Sequence, residues 1–105
     1  MNLALMSTSA EARVVTESAS RYLAQLCKHF QHKLPVTRDG ARGRIEFPAG
    51  VCVLDAALEP GTLILRVTAA DEAGVAALKD VVARHLVRFA FREEIAVNWT
   101  RTARA

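Results

Sequence analysis

The sequence predicts an α+β fold, a two-layer sandwich in which two helices pack on one face of a mostly antiparallel sheet. Two stretches carry apolar residues at the three- and four-residue spacing of an amphipathic helix. Between them, apolar and polar residues alternate with a period of two, and turn signals recur at close intervals. Each helix needs one apolar wall, which an antiparallel sheet supplies, so the predicted order of elements is β-α-β-β-β-β-α-β.

The size of the chain fits a single domain, which we expect over residues 11–100. A chain of 105 residues buries roughly two-thirds of its surface on folding. Residues 1–10 are expected to be a disordered leader, with Met6 as an alternative start, and residues 101–105 a tail. The apolar part of the leader is too short for a signal peptide or a membrane span.

Charge and cysteine content argue against several function classes. The formal net charge is only +3 and the basic residues are spread along the chain, which does not indicate nucleic-acid binding. Cys27 and Cys52 lack the spacing of a zinc ribbon and are predicted to be free thiols, which favours a reducing compartment. We therefore expect a cytoplasmic protein without a membrane span.

The first two elements are predicted to be a short strand and a helix. Residues 12–16 are rich in β-branched side chains, which favours a strand. Ser18 is a suitable N-cap, and Pro35 disfavours the helical conformation of the residue before it, so we expect a helix from Ser18 to about Lys33. One apolar stripe runs along this helix and consists of Ala19, Tyr22, Leu23, Leu26 and Phe30.

The central segment is predicted to be an antiparallel meander of four strands. Its turn signals are Asp39-Gly40, Pro48-Ala49-Gly50 and Glu59-Pro60-Gly61. The strands are expected at residues 35–38, 44–47, 51–56 and 62–68. In the third of these strands, Val51 and Val53 lie opposite Cys52 and Leu54, so both faces are apolar, which favours a covering partner or a homodimer.

The last two elements are predicted to be a long helix and a short strand. Asp71 is a suitable N-cap, and the helix pattern continues as far as residues 91–94 without a glycine or proline to stop it. Ile95, Val97 and Trp99 then alternate as a final strand. The apolar stripe of this helix consists of Val75, Leu78, Val81, Val82, Leu86 and Phe89.

Three blocks of the chain carry a resemblance to a known family. They read RYLAQLCKHFQHK, GRIEFPAGVCVLDA and RHLVRFAFREEIAVNW. With these blocks, residues 12–99 resemble a bacterial family known as domain of unknown function 2218. The resemblance implies no specific activity. Some members of that family are encoded beside, or fused to, siderophore-interacting flavoproteins, which implies a link to iron handling and a flavoprotein or siderophore-related partner.

Three histidines are the candidate metal ligands. On a regular helix Cys27 and His29 project to nearly opposite sides, whereas His29 and His32 share one side. A metal site at His29 and His32 needs further ligands, which His85 or Cys52 would supply if the two helices lie side by side. In the alternative interpretation, His32 stabilises the last turn of its helix and His29 flanks the apolar stripe.

His85 is predicted to be largely buried near the middle of the second helix's apolar stripe. Both ring nitrogens then need partners, and Tyr22, Glu93 or a strand carbonyl are the candidates. Either His85 is a hydrogen-bonded core residue, or it is a ligand or base. Arg84, Arg88 and Arg92 recur on the outer side of the same helix, where they contact an anion or are simply solvated.

The leading functional hypothesis is a non-enzymatic binding or accessory module with its site between the two helices. The expected ligand-binding residues are His29, His85, Tyr22 and Arg88, and the expected metal ligands are His29, His32 and His85. The sequence indicates no catalytic residue and no particular cofactor. Two alternatives stay open: an enzyme or reductase partner using His85 as a base, which needs a pocket reaching His85, and a dimeric structural module with an apolar outer sheet face.

Overall fold

A computed structural model describes residues 7–102, which form a six-stranded antiparallel sheet and two helices. The strands are β1 (Thr8–Val15), β2 (Val36–Asp39), β3 (Arg42–Phe47), β4 (Gly50–Asp55), β5 (Thr62–Ala69) and β6 (Trp99–Thr102). The helices are α1 (Ala19–Phe30) and α2 (Glu72–Phe89). The order in the sheet is β2-β3-β4-β5-β1-β6. This architecture confirms the predicted α+β class and order of elements.

Both helices pack on the same face of the sheet, where alternate strand residues form the core. Leu63, Leu65 and Val67 of β5 are fully buried and lie in one apolar cluster with side chains of both helices. Their cross-strand neighbours on the same face are also buried, because residues facing each other across antiparallel strands share a face. These neighbours are Ala10, Ala12 and Val14 of β1, and Cys52 and Leu54 of β4.

The opposite face of the sheet is charged rather than apolar. Arg66 of β5 and Arg13 of β1 both pair with Glu11, at 3.1 and 2.6 Å between nitrogen and oxygen. Val53 is 40% exposed and lies between Arg44 and Arg66 in neighbouring strands. The exposed apolar side chains of this face, Val15 and Val53, lie among these ion pairs, and the homodimer stays a prediction.

Strands β1 and β6 extend beyond the predicted strand limits. β1 begins at Thr8 because it pairs along its whole length with β5, from Thr8 opposite Ala69 to Val15 opposite Thr62. Residues 8–10 therefore belong to the sheet and not to a leader. The last strand is β6, Trp99–Thr102, which pairs with β1, whereas we predicted 95–99 as strand and 101–105 as tail. Residues 1–6 and 103–105 lie outside the described part of the chain.

Helix α1 ends at Phe30, three residues before the predicted end. The carbonyl oxygen of Phe30 accepts from the amides of both Lys33 and Leu34, so the chain turns there before Pro35. At the other end, Ser18 occupies the N-cap position as predicted, but without the capping hydrogen bond. Its amide instead donates to the hydroxyl of Thr16 at 3.1 Å.

Helix α2 begins as predicted and ends earlier. The carboxylate of Asp71 accepts from the amide of Gly74 at 2.8 Å, which confirms Asp71 as the N-cap. The helix ends at Phe89 and is followed by a turn in which the amide of Glu93 donates to the carbonyl of Ala90. Neither described helix combines the length and the hydrophobicity that a membrane crossing requires.

Candidate functional site

The candidate site lies along the line where α1 and α2 touch, which we call the helix seam. Tyr22 near the start of α1 contacts Glu93 beyond the end of α2, and His29 near the end of α1 contacts His85 and Phe89 of α2. The two helices therefore run antiparallel. The seam brings His29 and His85 together, with 4.8 Å between their ring centroids.

Among residues 7–102, His85 has one hydrogen-bond partner, and it is neither Tyr22, nor Glu93, nor a strand carbonyl, the three candidates predicted. Its Nδ1 lies 2.7 Å from the carbonyl oxygen of Val81, one turn earlier on the same helix. Because a carbonyl only accepts, Nδ1 carries the proton, and the Nε2 of the neutral ring keeps a lone pair. Tyr22 and Glu93 pair with each other instead, and the side chain of His85 is half-buried rather than largely buried.

The ring of His85 is enclosed by other rings. Besides His29, it contacts Phe30 at 4.9 Å and Phe89 at 6.5 Å between centroids. Tilted contacts between rings fix the orientation of the imidazole through packing. His85 therefore helps to hold the two helices together. Its neighbour Phe89 lines one of the two cavities described below, and its neighbours His29 and Phe30 line the other.

His29 is exposed at the seam, and the pKa of its imidazole is lowered from the usual value. The main cause is desolvation by the surrounding rings, and the charges of His85, His32 and Arg88 add to it. A lowered pKa in the folded state means that the unfolded chain binds more protons around pH 6. The contribution of His29 to the free energy of unfolding is therefore fully present above the unfolded pKa of about 6.5, and it is lost as the pH falls through the lower pKa of the folded state.

We expect a proton NMR titration to show His29 with a pKa below about 6.5. Replacing His85 by glutamine should raise the pKa of His29 part of the way back, because the electrostatic effect of His85 is removed while most of the desolvation by burial remains. Lys28→Gln removes a positive charge from the same helix and serves as the control, with no comparable shift expected. An unchanged His29 titration in His85→Gln would show that the two rings are not neighbours.

The described residues do not bring the three predicted histidine ligands together. Within residues 7–102, no three side chains of histidine, cysteine, aspartate or glutamate are positioned to hold one ion. Of the predicted ligands, His29 and His85 are neighbours, whereas His32 makes no ring contact with either. A metal bound by this pair would need further ligands from outside the described residues, so the metal site stays a prediction.

The two cysteines belong to the core and not to the seam. Both are free thiols and both are buried. Cys27 lies on the buried side of α1 and Cys52 in the middle of β4. Burial, with a smaller effect from Cys27, raises the pKa of the Cys52 thiol to about 12. A thiol with so high a pKa is a poor metal ligand, because metals bind the thiolate.

The first cavity at the seam, which we call the histidine pocket, lies at the end of α1. Its volume is about 480 Å³, within the range of small-molecule sites. Most of its wall is apolar, and its polar groups come from one segment at the end of α1. It is lined by His29, Phe30, His32, Lys33, Leu34, Phe47 and Val81.

A hydrogen-bonded cluster closes the opposite end of the seam. The hydroxyl of Tyr22 donates to Glu93 at 2.5 Å, and the hydroxyl of Thr16 lies 3.1 and 3.2 Å from the two carboxylate oxygens. The hydrogen bond to Glu93 and then burial raise the pKa of Tyr22, so its hydroxyl stays protonated. The cluster ties the segment after α2 to the start of α1.

The second cavity lies beside this cluster, and we call it the arginine pocket. Its volume is about 370 Å³ and it is lined by Arg21, Tyr22, Gln25, Phe89, Phe91 and Arg92. Of this set, sequence reasoning gave Tyr22 as a ligand-binding residue and Arg92 as an anion contact in one of two interpretations. Arg88, which we also predicted to bind ligand, is exposed in the last turn of α2 and lines neither cavity. The missed signal is the position of Arg21 and Gln25, one turn apart beside the buried stripe of α1.

The fold and the seam thus define a small α+β sandwich with a histidine pair between two cavities. The chain belongs to the bacterial family described as "Uncharacterized protein conserved in bacteria (DUF2218)", which matches residues 11–100. It is also similar to the NMR structure of PA4090 from Pseudomonas aeruginosa. That similarity has 36% sequence identity and a TM-score of 0.69, and covers 90% of this chain and 95% of PA4090. The comparison with curated proteins gives no match.

Proposed function

We propose that this protein is a cytoplasmic binding module that holds a small, mainly apolar ligand with one acidic or metal-chelating group. The observation that carries the proposal is the histidine pocket, a cavity of about 480 Å³ with apolar walls and basic groups on one side. Pockets of this kind bind through burial of the ligand's apolar body, and a few polar groups orient it.

The walls of the histidine pocket suit an apolar body. Phe30 and Phe47 meet edge to face with 5.1 Å between their ring centroids. Leu34 and Val81 complete the apolar wall and pack against the core. Because these side chains belong to different elements anchored in one core, the cavity is preformed, and little ordering is needed when a ligand enters.

The polar side of the pocket favours an acidic group. Lys33 supplies a positive charge, and His29 and His32 supply ring nitrogens. No carboxylate lines this cavity, so nothing repels an anion from within it. The lowered pKa of His29 keeps its ring neutral at neutral pH, and a neutral imidazole suits a metal ion carried by a chelate.

The family resemblance extends the proposal to iron or siderophore handling. Siderophore-related ligands combine metal-binding groups with an organic body. His29 lines the pocket and offers ring nitrogens to such a ligand, with the ring of His85 behind it at 4.8 Å between ring centroids. We infer that a flavoprotein of siderophore metabolism is the partner, and that an iron chelate is the ligand type to test first.

Titration of the purified full-length chain tests the proposal. We expect decanoate, used as an apolar carboxylate probe, or one of Fe³⁺, Zn²⁺ and haem to bind with saturation. The measurements are amide NMR for decanoate, metal analysis for the ions and absorbance for haem. Lys33→Gln should weaken decanoate binding about tenfold through loss of a charge-assisted contact, and His29→Gln should weaken binding of the metal probes.

Lys28→Gln is the matched control, because Lys28 is an exposed lysine in the last turn of α1 that does not line the histidine pocket. Equal effects of Lys28→Gln and Lys33→Gln would mean that only the overall charge matters. Absence of saturable binding for all four probes would remove the proposal.

A second candidate function, an enzyme or reductase partner with His85 as base, is favoured by one observation. The contact of Nδ1 with Val81 leaves Nε2 with a lone pair and without a hydrogen-bond partner among the described residues. Against it, His85 is enclosed by His29, Phe30 and Phe89 and does not line the histidine pocket. A ligand whose NMR contacts reach the ring of His85 would favour this candidate over simple binding.

A further inference from the structure

The arginines of the open sheet face and those of the arginine pocket have different surroundings. On the open sheet face, each arginine of the strands is matched by a carboxylate: Arg13 and Arg66 by Glu11, Arg42 by Asp55 and Arg44 by Glu46. In the described part of the chain, Arg21 and Arg92 make no such ion pair. Both line the arginine pocket, which therefore holds two guanidinium groups that have no carboxylate partner among the described residues.

Aromatic rings accompany both of these guanidinium groups. The Cζ atom of Arg21 lies 5.7 Å from the ring centroid of Tyr22, and that of Arg92 lies 5.4 Å from the ring centroid of Phe91. Such cation–π contacts favour particular positions of otherwise flexible side chains. Phe89 contributes a third ring to the cavity wall, so flat apolar surface and positive charge occur together.

Glu93, which follows Arg92 in the chain, already has hydrogen-bond partners. Glu93 accepts hydrogen bonds from Tyr22 and Thr16 and lines a neighbouring cavity rather than the arginine pocket. Gln25 supplies an amide to the arginine pocket without adding charge. The cavity therefore presents two guanidinium groups, one amide and three aromatic rings to a ligand.

We propose that the arginine pocket is a second binding site, separate from the histidine pocket, for small planar aromatic carboxylates. The carboxylate pairs with Arg21 and Arg92, since guanidinium groups match its geometry. The ring of the ligand lies against Phe89 and Phe91, which favour offset or edge contacts with another ring. The two cavities share no lining residue, so this site does not depend on the function proposed for the histidine pocket.

The test is a titration of the full-length chain with 2-naphthoate, followed by NMR of the backbone amides and of the Gln25 side chain. We expect saturable binding with the largest shifts at Gln25 and Phe91. Arg21→Gln and Arg92→Gln should each weaken binding about tenfold. Arg84→Gln is the control, because Arg84 is an exposed arginine of α2 that pairs with Asp80 and lies outside this cavity, and it should change affinity less than about twofold.

A second comparison tests the aromatic part of the ligand class. Phe91 is 77% exposed, so Phe91→Ser should leave the fold intact. It should weaken 2-naphthoate binding roughly three- to tenfold and leave binding of inorganic phosphate unchanged. Phosphate bound as tightly as 2-naphthoate would overturn the aromatic specificity.

The remaining outcomes also decide the proposal. Equal losses in Arg21→Gln, Arg92→Gln and Arg84→Gln would reduce the effect to net charge and overturn it. Shifts centred on His29, His32 and Val81 would assign 2-naphthoate to the histidine pocket and overturn the separate site. His29→Gln should leave 2-naphthoate binding unchanged, so failure of decanoate or metal binding at the histidine pocket is distinguishable from failure here.

Discussion

Replacing Gly50 by alanine is expected to lower the free energy of unfolding by about 3 kcal/mol or more, at or above the upper end for overpacking. Gly50 begins β4 and faces Ala69 of β5. A Cβ atom at Gly50 would lie 2.1 Å from the carbonyl oxygen of Thr68 and 3.0 Å from the Cα atom of Ala69. Those are backbone atoms of a strand that is paired on both sides, so they cannot move away without breaking sheet hydrogen bonds.

Gly40→Ala is the control for this prediction. Gly40 has a φ of +62° and no atom within 4 Å of an added Cβ, so its substitution costs only the backbone strain of roughly 1–2 kcal/mol. Urea unfolding followed by circular dichroism gives both values. An equal or smaller loss for Gly50→Ala would show that β4 and β5 do not approach each other as described.

The second large effect is expected for Leu86→Ala, with a loss of about 2–5 kcal/mol in the free energy of unfolding. Leu86 is fully buried in the core cluster, and truncation leaves a cavity between α2 and the sheet. Its neighbour His85 touches His29 across the seam. We therefore also expect Leu86→Ala to alter the NMR signals of both imidazole rings, because α2 would sit less firmly on the sheet.

Val87→Ala is the matched control, since Val87 is the next residue of the same helix and is 51% exposed. Its loss should remain within about 0.5 kcal/mol, as for most surface substitutions. Thermal and urea unfolding of both variants measure the two losses in the free energy of unfolding. Similar losses at the two positions would contradict the orientation of α2 on the sheet.

The local elements of this fold could be predicted because each depends on a short-range pattern. The apolar stripe of α2 includes Leu78, Val82 and Leu86, all buried as expected. Asp71 was predicted as the N-cap from its residue type and position, and it forms that cap. Such signals survive in the tertiary structure because burying an apolar stripe and capping a helix are favourable wherever the element packs.

The start of β1 and the end of α2 could not be predicted, because no local pattern marks them. Nothing local distinguishes Thr8–Ala10 from a leader, yet pairing with β5 makes them strand. Nothing local stops α2 at Phe89 either. The segment that follows is instead held by the contact of Glu93 with Tyr22, which lies 71 residues earlier in the chain.

The candidate site divides in the same way. The helical period by itself placed His29 beside an apolar stripe and His85 on one, and the antiparallel arrangement of the helices then made these rings neighbours. The pairing of Tyr22 with Glu93 and the joining of Arg21 to Arg92 in one cavity were decided only by the tertiary structure. The physical reason is that periodicity determines which side of a helix a residue occupies, whereas the partner facing that side depends on how the helices cross the sheet.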